Sequence, residues 1–225
     1  MRIDIISAVP PILESPLGES IIKRAQERGL VEIVVHNLRD YGLGNYKQID
    51  DVPFGGGAGM VIRVEPVFTL MRKLLSERTY DEVIFMTPDG EVFNQDTANQ
   101  LSLKGNLLIL CGRYKGIDER IRQAFITKEI SIGDYVLTGG ELPALCVIDA
   151  IVRLLPGAIG DSESALLDSF QTGILDAPLY TKPADFEGMK VPEILQSGDH
   201  QKIAAWRHDE ALKRTQERRP DLLDD

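Results

Sequence analysis

Leu107-Leu108-Ile109-Leu110-Cys111-Gly112-Arg113-Tyr114-Lys115-Gly116 is an apolar run that stops at a glycine-bounded loop. A short, unbroken apolar run reads as a buried strand, and the glycines at its end let backbone N–H and C=O groups approach a ligand closely. Similar β-rich runs occur at Ile3 to Val9, Val31 to His36, Glu82 to Thr87 and Thr127 to Ile132, with helical segments between them. That alternation predicts an α/β fold built on a mostly parallel sheet. Ile21, Ile22 and Ala25 carry helical periodicity up to a stop at Gly29. The clearest helix runs from Leu142 to Leu155, apolar at Leu145, Ile148, Val152 and Leu155, with Pro143 tolerable in its first turn and Pro156-Gly157 ending it.

Two more glycine-containing loops follow strands: Thr87-Pro88-Asp89-Gly90, and Ser131 through Gly139-Gly140 ahead of the long helix. Each alone reads as a tight turn. Three at the carboxyl edge of one sheet read as the crevice where an open α/β sheet takes its ligand. The segment Val52-Pro53-Phe54-Gly55-Gly56-Gly57-Ala58-Gly59-Met60 supports two readings equally, a cover over a ligand or partner and a mobile surface loop.

The 225 residues are 43% hydrophobic and 27% charged, which places the chain among ordinary globular proteins. A net charge of −10 argues against a general polyanion binder. The longest uncharged run, Val52 to Ile62, is broken by glycines and falls short of the roughly 18 apolar residues of a membrane span. Asp4 sits where a signal peptide needs an apolar core, so a cytoplasmic location and no membrane partner are expected. Cys111 and Cys146 are too far apart for a CxxC motif and read as small buried hydrophobes. The only histidines are His36, His200 and His208, and no metal site is expected from them. The dinucleotide, P-loop, nucleophile-elbow and zincin motifs are all missing.

From 158 onward the sequence turns to Gly, Ser, Asp and Glu, which predicts a division into an α/β domain over 1–157, a flexible linker over 158–175 and a helical domain over 176–225. Helical periodicity returns through Gln201 to Arg218, with Ile203, Trp206 and Leu212 as expected anchors. Lys202, Arg207, Lys213, Arg214, Arg218 and Arg219 offer a basic face on an otherwise acidic body. Arg153 and Asp168 are candidates for catalysis. Spacing alone makes Arg153 an i,i+4 partner of Asp149, and Asp168 an N-cap of a short turn, and it does not choose between these readings and a catalytic one.

Several stretches carry a resemblance that covers nearly the whole chain. They are Gly55-Gly56-Gly57 with Gly59-Met60; Cys111-Gly112-Arg113-Tyr114 with Gly116 to Arg120; Ser131 to Leu137 with Gly139 to Ala144; Asp168-Ser169-Phe170; and Pro178 with Tyr180-Thr181. Gly188-Met189, Val191-Pro192, Ser197-Gly198 with His200, Trp206-Arg207 and Arg218-Arg219-Pro220 extend them. In these the chain closely resembles the bacterial tRNA (guanine-N1)-methyltransferases of the TrmD family, SPOUT class. The resemblance implies a trefoil knot in the C-terminal part of the α/β domain, S-adenosylmethionine as methyl donor, a homodimer that completes each active site from both subunits, and methylation of N1 of the guanine immediately 3′ of the anticodon in tRNA.

Carried over position by position, the resemblance assigns donor binding to Pro88, Gly112, Ile132, Gly133, Asp134, Tyr135, Val136, Leu137, Gly139 and Gly140. It makes Asp168 the base and Arg153 the stabiliser of charge on the guanine. RNA binding is expected of Lys202, Arg207, Arg214 and Asp176. The family also implies magnesium, at no position legible here. The chain departs from the family pattern at Lys115, where many members have glutamate near the donor's amino group, and at Leu179 for histidine, Ala58 for proline and Phe85 for tyrosine. The alternatives are a SPOUT enzyme acting on another RNA and a non-catalytic RNA-binding protein of the same fold.

Overall fold

The computed structural model describes residues 1–159 and 168–223. The chain separates into two compact units, 1–160 and 161–225. In the first, strands β1 (Arg2–Ser7), β2 (Glu32–Asn37), β5 (Glu82–Val92), β6 (Asn106–Cys111) and β7 (Lys128–Ser131) form a sheet in the order β2-β1-β6-β5-β7. Every neighbouring pair is parallel. Two-residue strands β3 (Asp50–Asp51) and β4 (Val61–Ile62) pair antiparallel outside this sheet.

Period-two alternation sorts the strand side chains into two cores. Ile3, Ile5, Ile84, Met86, Leu107, Ile109 and Cys111 face helices α1 (Pro11–Leu17), α2 (Ser20–Glu27), α4 (Gln95–Ser102) and α6 (Glu141–Val152). Ile6, Val83, Phe85, Leu108 and Leu110 face α3 (Val64–Glu77) and α5 (Glu119–Phe125). Burial on both faces is why Leu107 to Cys111 carries no polar residue.

The long helix spans Glu141–Val152, with Leu145, Ile148 and Val152 inward as the periodicity requires. Cys146 is a correction: its thiol is exposed, because it falls on the outward stripe of α6 with Leu142 and Asp149. Cys111 is buried as expected, and burial, with the charge of Glu141 adding to it, pushes its thiol pKa well up.

A polar cluster in the first unit joins β1, β2 and the segment just before β5. Asp4 is fully buried on β1. It accepts hydrogen bonds from Arg2 Nε at 2.8 Å and Nη2 at 2.9 Å, and from Tyr80 Oη at 3.0 Å. His36 Nε2 lies 2.7 Å from Oδ1, the oxygen that Arg2 Nη2 also reaches. Burial alone would raise the carboxyl pKa, but the bonds from His36, Arg2 and Tyr80 outweigh it and hold Asp4 well below the usual carboxylate range.

The second unit is built on α7 (His200–Arg218), capped by Asp199, whose Oδ1 accepts the Lys202 N–H at 3.2 Å. Its buried face is Ala211 and Thr215; the expected anchors Ile203 and Trp206 are half-buried, and Leu212 is exposed. The expectation of an all-helical unit is corrected by a hairpin of β8 (Asp185–Phe186) and β9 (Met189–Lys190). Glu187 and Gly188 turn it with φ of 54° and 84°, the paired left-handed conformation of a tight hairpin turn. Of the expected linker 158–175, residues 160–167 lie outside the described residues. From Asp168 on, the chain bonds within the second unit: Leu175 N–H donates to Thr215 Oγ1 and Asp176 N–H to Ser169 Oγ, both at 2.9 Å.

Candidate active site

The three glycine loops meet. One cavity of about 330 Å³ at the carboxyl edge of the sheet is lined by the Thr87–Asp89 bend, by Gly112 to Gly116, and by Ser131 to Gly140 with the exception of Asp134. Volumes of this order hold a small-molecule ligand. All the residues assigned to the donor line it apart from Asp134.

Backbone bonds lock the loops together. Gly140 N–H donates to Gly112 O at 2.7 Å, and Arg113 and Gly139 form an antiparallel bridge. A Cβ on Gly140 would lie 2.8 Å from both Cys111 Cα and Gly112 N, so only glycine allows the approach. Ser131 Oγ accepts from Gly133 N–H at 3.2 Å and donates to Gly133 O at 3.0 Å, which turns the chain at the end of β7. Gly133 there has φ of 143°, a conformation that L side chains rarely adopt.

The four-glycine segment is tied to this site at its far end: Lys115 N–H donates to Met60 O at 3.0 Å, Ile62 N–H to Gly116 O at 3.0 Å and Asp118 N–H to Ile62 O at 3.1 Å. Tyr114, the residue just before the first of these anchors, has φ of 61°, an uncommon conformation for an aromatic residue and a constraint placed at the cavity wall. Lys115, the charge-reversed position, lines the cavity, and its Cγ is 2.9 Å from where a Cβ on Gly59 would be.

Charged groups missed by sequence reading support the cavity. Glu141 is buried at the first turn of α6, accepts from Ser7 Oγ at 2.8 Å and faces Arg113 Nη1 across 3.7 Å. That buried Nη1 has no hydrogen-bond partner among the described residues. On the opposite wall Arg122 meets Asp89, Glu129 and Thr87. The Arg122 guanidinium and the Thr87 hydroxyl hold the Asp89 carboxyl well below its usual range against the opposing pull of burial. No spacing rule predicts these pairings, which join residues far apart in sequence.

Arg153 closes α6 as its C-cap, half-buried, with its N–H on Asp149 O at 3.1 Å. Asp168 is half-buried and its carbonyl accepts the Gln171 N–H at 3.2 Å, so it opens a short turn. In the second unit Lys202 is exposed and pairs with Asp199 at 3.0 Å. Arg207 lines a separate cleft with Tyr180, Lys182 and Ile203. Arg214 Nη1 reaches Asp176 O at 3.5 Å, while the Asp176 carboxylate accepts the Ala177 N–H. Among the described residues no three His, Cys, Asp or Glu side chains group as a metal site, and no helix is long and apolar enough to cross a membrane.

Comparison with known proteins decides the family. The family model described as tRNA (Guanine-1)-methyltransferase TrmD matches residues 1–225. The chain belongs to the TrmD family. A tRNA (guanine-N(1)-)-methyltransferase of Chlorobaculum tepidum is 62% identical over 223 residues, 99% of this chain and 97% of the relative. Relatives of the same description from Flavobacterium psychrophilum and Bacteroides fragilis are 59% and 60% identical, with each chain covered in full. In this TrmD member the cavity is lined by the residues that the resemblance assigns to the donor, Asp134 apart.

Proposed function

We propose that this tRNA (guanine-N1)-methyltransferase holds S-adenosylmethionine in the cavity at the carboxyl edge of its sheet and methylates N1 of the guanine immediately 3′ of the anticodon. The observation that carries the donor site is the convergence of three separate loops, with backbone and glycines at the wall, on one cavity of ligand size. Gly139 and Gly140 suit this wall because a Cβ at Gly139 would run into Glu141 and one at Gly140 into the Cys111-Gly112 backbone, so only glycine lets the loop close on its neighbour. The donor supplies an electrophilic methyl on a sulfonium.

The protein supplies the rest. Guanine N1 carries a proton, so a base must take it as N1 attacks, and negative charge then grows on O6. The Asp168 carboxylate accepts the N1 proton, and the Arg153 guanidinium stabilises O6. The loops would hold the donor, whose sulfonium would give its methyl to N1 and leave as a thioether. Lys202, Arg207 and Arg214, with Asp176, engage the RNA, the cations by pairing with phosphates.

The chain between β7 and α6 forms the trefoil knot. Its supporting contacts are the return of that segment from the sheet edge to Gly112 and the bridge from Arg113 to Gly139. Two subunits share each site. Exposed Tyr135, Val136, Leu137 and Leu142 give this face of the first unit an apolar character suited to a partner subunit. The domain plan is an α/β unit over 1–157, a linker over 158–175 and an RNA-binding unit over 176–225. Among the described residues no three His, Cys, Asp or Glu side chains group as a site for magnesium.

Labelled donor and unmodified tRNA test the reading directly. A methyl on N1 of the anticodon-adjacent guanine is the expected product; methyl on another base or RNA favours a different SPOUT activity, and RNA binding without product favours a non-catalytic protein.

A further inference from the structure

The Thr87-Pro88-Asp89 lip of the cavity is not held by strand pairing, because the register between β5 and β7 breaks between Met86 and Glu91. Arg122, on α5, holds it instead. Its Nη1 donates to Asp89 Oδ2 at 2.8 Å and to Glu129 Oε2 at 3.0 Å. Its Nη2 donates to Asp89 Oδ1 at 3.2 Å and to Thr87 Oγ1 at 3.3 Å, and Thr87 Oγ1 in turn donates to Asp89 Oδ1. The guanidinium carbon also lies 4.9 Å from the centroid of the Phe85 ring. That same ring is the nearest group to a Cβ built on Gly112, at 2.9 Å. One side chain therefore grips the lip directly and backs the Gly112 loop through Phe85.

We propose that Arg122 is a positioning residue for the methyl donor, clamping the Thr87–Asp89 lip to β7 and to the Phe85 ring so that this wall of the cavity is formed before the donor arrives. This rests on the donor-pocket reading above and deepens it. A planar guanidinium can bond two carboxylates and stack on a ring at once, whereas an ammonium on a flexible stem cannot. A wall ordered in advance spares the donor the entropy of ordering it. Proton removal belongs to Asp168, so the effect of Arg122 falls on donor binding and not on the chemical step.

The test is titration calorimetry with S-adenosylmethionine on the full chain, with steady-state kinetics at varied donor, for Arg122→Lys, Arg122→Met and a sheet-edge control. The control is Lys128→Gln, which breaks the ion pair with Glu91 at 2.6 Å on the same edge without touching the lip. The clamp predicts donor Kd and KM weakened about tenfold in both Arg122 variants, with kcat at saturating donor within about threefold of the parent. Lys128→Gln should lower the melting temperature and leave donor Kd unchanged. Donor Kd unchanged in Arg122→Lys overturns the clamp, and so does equal weakening in Lys128→Gln, since the loss would then follow edge stability. If Arg122→Met fails to fold, Arg122→Lys decides. No donor binding by the parent protein overturns the donor-pocket reading itself, and the clamp with it.

Discussion

The amide of Gly140 donates to the carbonyl of Gly112 across 2.7 Å, joining the loop that follows β7 to the loop that follows β6. These residues are far apart in the chain, and their contact closes one wall of the cavity. Gly140 has φ of −82°, an ordinary value, so what demands glycine is proximity and not backbone strain. Gly140→Ala therefore places a methyl against backbone that cannot yield. Overpacking of this kind costs about 1–3 kcal/mol, and the displaced loop should weaken donor affinity about tenfold or more. Urea unfolding and donor calorimetry on the same preparation read both effects.

Asp168 lies outside the cavity-forming unit, so its removal should separate binding from chemistry. Asp168→Ala is expected to keep the parent's donor Kd while kcat falls by roughly 10²–10⁴, the usual contribution of a positioned base. Turnover at the parent rate would remove Asp168 from the mechanism.

Glu141 places a buried carboxylate between Ser7 and Arg113. Glu141→Gln keeps the shape and removes the charge opposite the Arg113 guanidinium. The expected loss is about 1–3 kcal/mol in chemical denaturation, and Ser7→Ala, which removes the hydroxyl that donates to Glu141 and accepts the Val9 N–H, should cost a similar amount without changing the charge.

Acid sensitivity should arise from Asp4. Its pKa is lower folded than unfolded, so the native state gains stability from the ionised carboxylate. That gain is complete above the unfolded value of about 4 and disappears progressively as pH falls below it towards the folded value. Asp4→Asn should cost about 3–5 kcal/mol at neutral pH and flatten the acid limb of a stability–pH profile. Tyr80→Phe should cost about 1.5–3 kcal/mol and leave donor binding unchanged, because none of Arg2, Asp4, His36 and Tyr80 lines the cavity.

The parallel sheet was legible because strands buried on both faces must be apolar throughout, and Asn106–Cys111 matches the expected run almost to the residue. Helix α6 was legible from its 3.6-residue spacing, and its outward stripe, where Cys146 falls, is the complement of the same pattern. The hairpin of Asp185–Phe186 with Met189–Lys190 escaped notice because two-residue strands carry no measurable alternation; only Glu187-Gly188 marked the turn.

Residue order alone determined the five strands of the parallel sheet, the long helix α6 and the glycine loops, since each depends on neighbours within a few positions. It also determined family membership, which is written in the same residues. The tertiary structure decided what those loops are for one another: the Gly140–Gly112 bond, the Glu141–Arg113 pair and the grip of Arg122 on Asp89. Such contacts depend on where the fold brings distant segments, and neither periodicity nor spacing encodes the distance between them.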